Sequence, residues 1–232
     1  MNDLANGLLW YLAFIFSVVV HEASHAFTAM KLGDRTAYDG GQVTLDPLPH
    51  IKREPIGTIA VPIFSFLVGG WMIGWASAPY DRNWARAYPD RSAMMALAGP
   101  LSNLMLVLIS GLLIRLGMAF DWFYAPERAN FTHVTAAYQD GAPYALSVLL
   151  SIMFSLNIIL FVFNLIPLPP LDGSGIIPLF ISNDKAVRYL DFIHNTPMLF
   201  MGLFVAWEIF DHISSPMHTM FLNLLYPGAG YH

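Results

Sequence analysis

The chain has 232 residues, 56% of them apolar and 12% charged, with a mean hydropathy of +0.53. These values lie outside the range of ordinary soluble domains and point to an integral membrane protein. A net charge of −5 argues against nucleic-acid binding, and the absence of cysteine excludes disulfides and thiolate metal sites, leaving His, Asp and Glu as metal ligands.

Five apolar blocks follow one another, over residues 4–31, 56–77, 93–119, 143–167 and 196–213. The first resembles a signal peptide in length, but no basic residue precedes it. Cleavage would also cut the helix away from its own His21-Glu22-Ala23-Ser24-His25, so it is expected to be a retained span. On a helix, His21 and His25 lie one turn apart on the same face and Glu22 stands about 100° around, the arrangement of a zinc hydrolase. In a soluble protein such a pentapeptide is as often accidental as functional. Inside an apolar span, two histidines and a glutamate are costly to insert and default to a functional reading. If the span starts near Leu4, His21 lies roughly 25 Å along a core about 30 Å thick, close to its far face.

Residues 36–50 alternate small, polar and apolar side chains around Gly40-Gly41 and Pro47, a pattern that predicts a short β-hairpin or edge strand; an irregular surface loop fits it equally well. The second block is interrupted at Gly69-Gly70 and Gly74. The remaining apolar helix covers under ~20 Å and favours a re-entrant element over a span. Charge parity agrees. If this block does not cross, Lys31, Arg35, Lys52, Arg53, Arg82, Arg86, Arg91, Lys185 and Arg188 share one side, as basic residues of cytoplasmic loops do. The expected topology is four spans with both termini outside.

The third block holds Ala98-Gly99-Pro100-Leu101-Ser102-Asn103, small residues that suit close helix packing, plus an amide that needs a partner. Asn103 could steady a site, contact substrate or an oxyanion, or bridge helices. Residues 121–141 read as an external loop, and its Asn130-Phe131-Thr132 sequon as accidental. The fourth block runs without a charge from Gly141 to Leu171 and ends in Asn164-Leu165-Ile166-Pro167-Leu168-Pro169-Pro170-Leu171-Asp172-Gly173. The prolines break the helix, and irregular backbone at membrane depth is tolerated only beside protein or a wet cavity. A carboxylate there needs neutralising, which makes Asp172 the best third ligand to accompany His21 and His25. Without the pentapeptide, Asp172 would read as a helix cap or turn residue. His50, His133, His194, His212, His218 and His232 lack ligand spacing and read as loop or interfacial side chains.

Taken in order, HEASHAFTAMKLGD, GGQVTLDPLPHI with EPIGTI, AGPLSN and NLIPLPPLDG resemble the short bacterial form of the site-2 protease family of intramembrane zinc metalloproteases, over about residues 15–175. The resemblance implies an all-α polytopic membrane protein of about four transmembrane helices, a re-entrant helix and a small membrane-associated β-hairpin. It would form one domain over 1–232, with its core at 4–175 and C-terminal helices at 176–232. It implies one Zn2+ held by His21, His25 and Asp172, Glu22 as general base, and Asn164 holding the substrate strand or stabilising the oxyanion. The 36–50 region would pair with an extended substrate. The implied setting is multi-pass in a bacterial inner membrane, with the site near the cytoplasmic side and transmembrane proteins or peptides as substrates in regulated intramembrane proteolysis. The expected form is the one without a PDZ or CBS domain, in which it would depart from other members. Gln42 and Lys52-Arg53-Glu54 depart from the commoner short-form pattern, with no expected catalytic consequence. Two alternatives stand beside this reading: a catalytically silent scaffold or metal-binding protein of the same fold, and a transporter, which would call for inverted repeats that the sequence does not display.

Overall fold

The computed structural model describes residues 3–193 and 196–231. Helix α1 (Asp3–Leu32) takes up the whole first apolar block and gives way at Gly33, whose φ of 112° is free of strain only for glycine. Asp34 then turns the chain. One carboxylate oxygen accepts from the Thr36 amide at 2.9 Å and its hydroxyl at 2.6 Å, and the other accepts from the distant Asp81 amide at 2.9 Å.

Residues 36–50 contain no strand, contrary to the β-hairpin expected there. They form α2 (Thr36–Asp39) and the start of α3 (Pro47–Arg53). The reason lies in Asp46-Pro47: the Asp46 carboxylate accepts from the Leu48 amide at 2.9 Å and Pro47 fills the first turn, a helix start that outweighs a short alternation with no partner strand. Among the described residues, the antiparallel strand pair lies instead in the 121–141 loop, where β1 (Phe123–Tyr124) pairs with β2 (Ala136–Ala137).

The second block leaves and returns. A π turn over Ile56–Ala60 leads into α4 (Val61–Gly69), which Gly70 ends at a φ of 75°. The chain comes back beside its own start: the Trp75 amide donates to the Gly57 carbonyl at 3.1 Å, and the Ser77 hydroxyl donates to Glu54 at 2.7 Å. Residues 56–69 advance about 20 Å as helix, and the return from Gly70 needs nearly the full reach of its few residues, so it is extended. The loop packs along α1, with the Phe66 ring against Gly7 and Met72 buried beside Trp10 and Phe14.

After α5 (Arg82–Ala87) come α6 (Pro89–Ala119), α7 (Ala142–Asn164), α8 (Asp172–Ile176), α9 (Asn183–Ile193) and α10 (Thr196–Leu225). Among the described residues, three helices are long and apolar enough to cross a membrane: α1, α6 and α7. They form the body of the molecule, with α6 antiparallel to the other two. Buried serines on α6 and α7 satisfy themselves locally, Ser102 donating to Gly99, Ser110 to Leu106 and Ser147 to Tyr144, which lets small side chains line the helix contacts without unpaired hydroxyls. Two histidines read as loop or interfacial side chains are not so: His50 is buried, and His218 is half-buried with its Nε2 2.8 Å from Ser155 Oγ. His194 and His232 lie outside the described residues.

Candidate metal centre

His21 and His25 sit on the face of α1 that meets α6, and their spacing of four brings the two Nε2 atoms to 3.0 Å. Asp172, the first residue of α8, completes a triangle, its Oδ2 3.0 Å from His21 Nε2 and 3.3 Å from His25 Nε2. The irregular Leu165–Leu171 turn delivers Asp172, and Gly173 makes this possible: a Cβ there would meet the Leu165 and Ile166 carbonyls. The two helices and the turn thus bring together three of the residues singled out in the sequence.

Three positions on one stripe of α6 serve the two imidazoles. The His25 Nδ1–H donates to the Met95 carbonyl at 2.7 Å, and the His21 Nδ1–H donates to Asn103 Oδ1 at 2.5 Å. Between them Gly99 leaves open the space in front of both Nε2 atoms, which any Cβ would fill. Positions 95, 99 and 103 recur at intervals of four, so they face α1 together. With both Nδ1 atoms donating, both Nε2 atoms carry lone pairs. Two lone pairs and a carboxylate oxygen therefore point at one another, and Asp172 Oδ2 is a buried atom without a hydrogen-bond partner although both imidazole nitrogens are close. Three close acceptors with no proton left to share between them are the arrangement of three ligands around a cation. Ligands held about 2.0–2.1 Å from a tetrahedral zinc lie about 3.3 Å apart, which these separations match. The residues fit a zinc ion.

Glu22 is buried and lines a cleft of about 290 Å³ together with His25 and Asp172. One wall is the returning segment at Ala76–Ala78 and Tyr80, and the other is Pro169–Leu171. Leu190 and Ile193 of α9 also line the cleft, and the same helix pairs with α5 through Asp191 and Arg86. The returning wall is clamped at Ser77. Gln42 Nε2 donates to its carbonyl at 3.0 Å, Arg53 Nε donates to its hydroxyl at 3.2 Å, and that hydroxyl donates to Glu54. The departures noted at Gln42 and Arg53-Glu54 thus meet at Ser77, which lines the cleft. Asn164 closes α7, half-buried, and is not among the residues lining the cleft. Asn103 is fully buried behind His21. Nothing in the sequence marks Ser77 as a site residue, and the one signal for Gly99 and Met95 is that they stand four and eight residues before Asn103 on one helix face.

The profile of Peptidase family M50 matches residues 9–204. The chain belongs to peptidase family M50. This M50 chain is 38% identical over 164 residues to YwhC of Bacillus subtilis (strain 168), an alignment covering 70% of the chain and 64% of YwhC. It is 28% identical over 162 residues to Rip2 of Mycolicibacterium smegmatis, covering 69% of the chain and 52% of Rip2. A Rip2 of Mycobacterium tuberculosis is 29% identical over 159 residues, 68% of the chain and 52% of that protein. The names of all three contain the words zinc metalloprotease. The M50 chain spans between about half and two thirds of the length of these relatives. No solved structure matches it.

Proposed function

We propose that this M50 chain is an intramembrane zinc endopeptidase that hydrolyses peptide bonds within or near the transmembrane segments of membrane proteins. The observation that carries the reading is the convergence of His21 Nε2, His25 Nε2 and Asp172 Oδ2 with both imidazole Nδ1 atoms already donating elsewhere. His21, His25 and Asp172 hold the metal. When bound, zinc supplies Lewis acidity to a water and to the scissile carbonyl. Glu22 accepts the proton of the attacking water and hands it to the leaving amine.

A transmembrane helix hides its carbonyls in its own hydrogen bonds, so a substrate must unwind to be cut. An extended wall can take over those bonds by β-addition. The returning segment at Ala76–Tyr80 is better suited to this than residues 36–50, because it lines the cleft and is held at Ser77. Asn164 and Asn103 remain candidates for a substrate or oxyanion role, and the hydrogen bond of Asn103 to His21 favours positioning instead.

The topology that best fits has α1, α6, α7 and α10 spanning and residues 55–77 re-entering. The contact of Ser77 with Glu54 supports re-entry, and re-entry leaves the basic loops on the side where α1 ends. That side is the cytoplasm in a bacterial inner membrane, so His21 and His25 lie where water reaches them without crossing the bilayer. A silent scaffold of the same fold would lack the base or a ligand, and neither is missing.

The zinc content of the purified chain tests the site. About one ion per chain is expected for wild type and a small fraction of that for Asp172→Ala; equal zinc in the two would remove Asp172 from the ligand set.

A further inference from the structure

His25 is oriented by a backbone carbonyl, which cannot change its polarity. His21 is oriented by an amide, which can. A primary amide rotated by half a turn would present NH2 to His21 Nδ1, push the imidazole proton to Nε2 and take away a ligand lone pair. Something must therefore fix which way Asn103 points.

Asn157, on the facing side of α7, is fully buried and makes three hydrogen bonds at 2.8 Å. Its Nδ2 donates to the Met153 carbonyl and to Ser17 Oγ, and its Oδ1 accepts from Asn103 Nδ2. The Met153 carbonyl can only accept, so it fixes the nitrogen of Asn157 on its own side. The Asn157 oxygen is then the atom facing Asn103, Asn103 must donate to it, and the Asn103 oxygen is left for His21 Nδ1. The Ser17 hydroxyl, itself directed at Met153 Sδ at 3.7 Å, keeps its oxygen free to accept from Asn157. One backbone carbonyl on α7 thus sets the tautomer of a histidine on α1 through two amides.

We propose that Asn157 is a positioning residue of the metal centre: by fixing the polarity of Asn103 it holds His21 as the Nδ1–H tautomer and aims its Nε2 lone pair at the ion. This rests on the zinc-site reading above. Partners of this kind typically change metal affinity about 10- to 100-fold.

Zinc affinity of the folded, detergent-solubilised chain, measured by competition with a chromophoric chelator, is the test. Asn157→Leu, close in volume, is expected to weaken zinc binding about 10- to 100-fold and to shift the visible bands of the cobalt-substituted protein. Adding Asn103→Asp to that variant is expected to restore affinity, because a carboxylate only accepts and needs no neighbour to set its direction. A packing role for Asn157 would not be rescued this way. Ser17→Ala, which removes one acceptor of Asn157 and little volume, should move affinity and cobalt bands in the same direction by less, and does not depend on the leucine variant folding. Wild-type affinity and cobalt bands in Asn157→Leu, or a folded double variant without rescue, would overturn the relay while leaving the zinc site intact. A wild-type chain that binds no zinc would overturn the site reading itself, and the relay with it.

Discussion

A methyl group at position 99 would occupy the space in front of the two imidazole Nε2 atoms. Within α6, alanine is intrinsically favoured over glycine by about 1 kcal/mol, so Gly99→Ala is expected to give a folded chain that has lost its zinc. Metal content at or near the wild-type level, with an unchanged thermal melt, would contradict this. The three proposed ligands stand out in the sequence because a histidine pair at helical spacing and a lone carboxylate after a charge-free span are costly residues among apolar neighbours. Gly99, the Met95 carbonyl, Asn157 and Ser17 do not. A glycine that makes room, a backbone oxygen and small polar side chains in a span look the same as packing until the facing helix is known.

At the scale of elements, the sequence misled where pattern competed with local chemistry. The alternation over 36–50 suggested strands, whereas the Asp46 cap and Pro47 start a helix. An aspartate followed by proline is also a helix-start signal, masked here by the alternation and the glycines before it. The interruption at Gly69-Gly70 was legible as the end of a helix, but the extended return beside Gly57 depends on contacts with α1 that no local pattern encodes. On the opposite side of the molecule, the β1–β2 loop is tied to the end of α10 by the Tyr226 hydroxyl, which donates to the Val134 carbonyl at 3.0 Å. Burial pushes the Tyr226 phenol from 10.0 up to about 12. The folded state thus favours the neutral donor: the tether is at full strength below pH 10.0 and is lost as pH rises towards about 12. Tyr226→Phe is expected to lower stability by about 1 kcal/mol at neutral pH, read from thermal or denaturant unfolding in detergent. The difference between the two proteins should narrow above pH 10.0, and a difference that grows with pH would argue against the tether.

For the whole molecule, the three-helix body and the pairing of α1 with Asp172 follow from hydropathy and from the cost of a buried carboxylate, and both were legible. Which loops share a side depends on whether the second block crosses; its length and glycines favour re-entry, and the Ser77 to Glu54 contact supports that reading. The absence of cysteine makes this directly testable with single introduced thiols. Lys52→Cys and Arg188→Cys should both react with an impermeant maleimide only from the cytoplasmic side, and Tyr138→Cys only from the opposite side. Labelling of Lys52→Cys and Arg188→Cys from opposite faces would overturn the re-entrant arrangement.

Under the proposed function, Glu22 moves the proton in a zinc-dependent hydrolysis inside the bilayer. Wild type and Glu22→Gln, both reconstituted with a transmembrane peptide and assayed for cleavage alongside bound zinc, test it most directly. Equal zinc in the two and cleavage reduced at least about 100-fold in the variant are expected. Undiminished cleavage by zinc-loaded Glu22→Gln would contradict that role of Glu22.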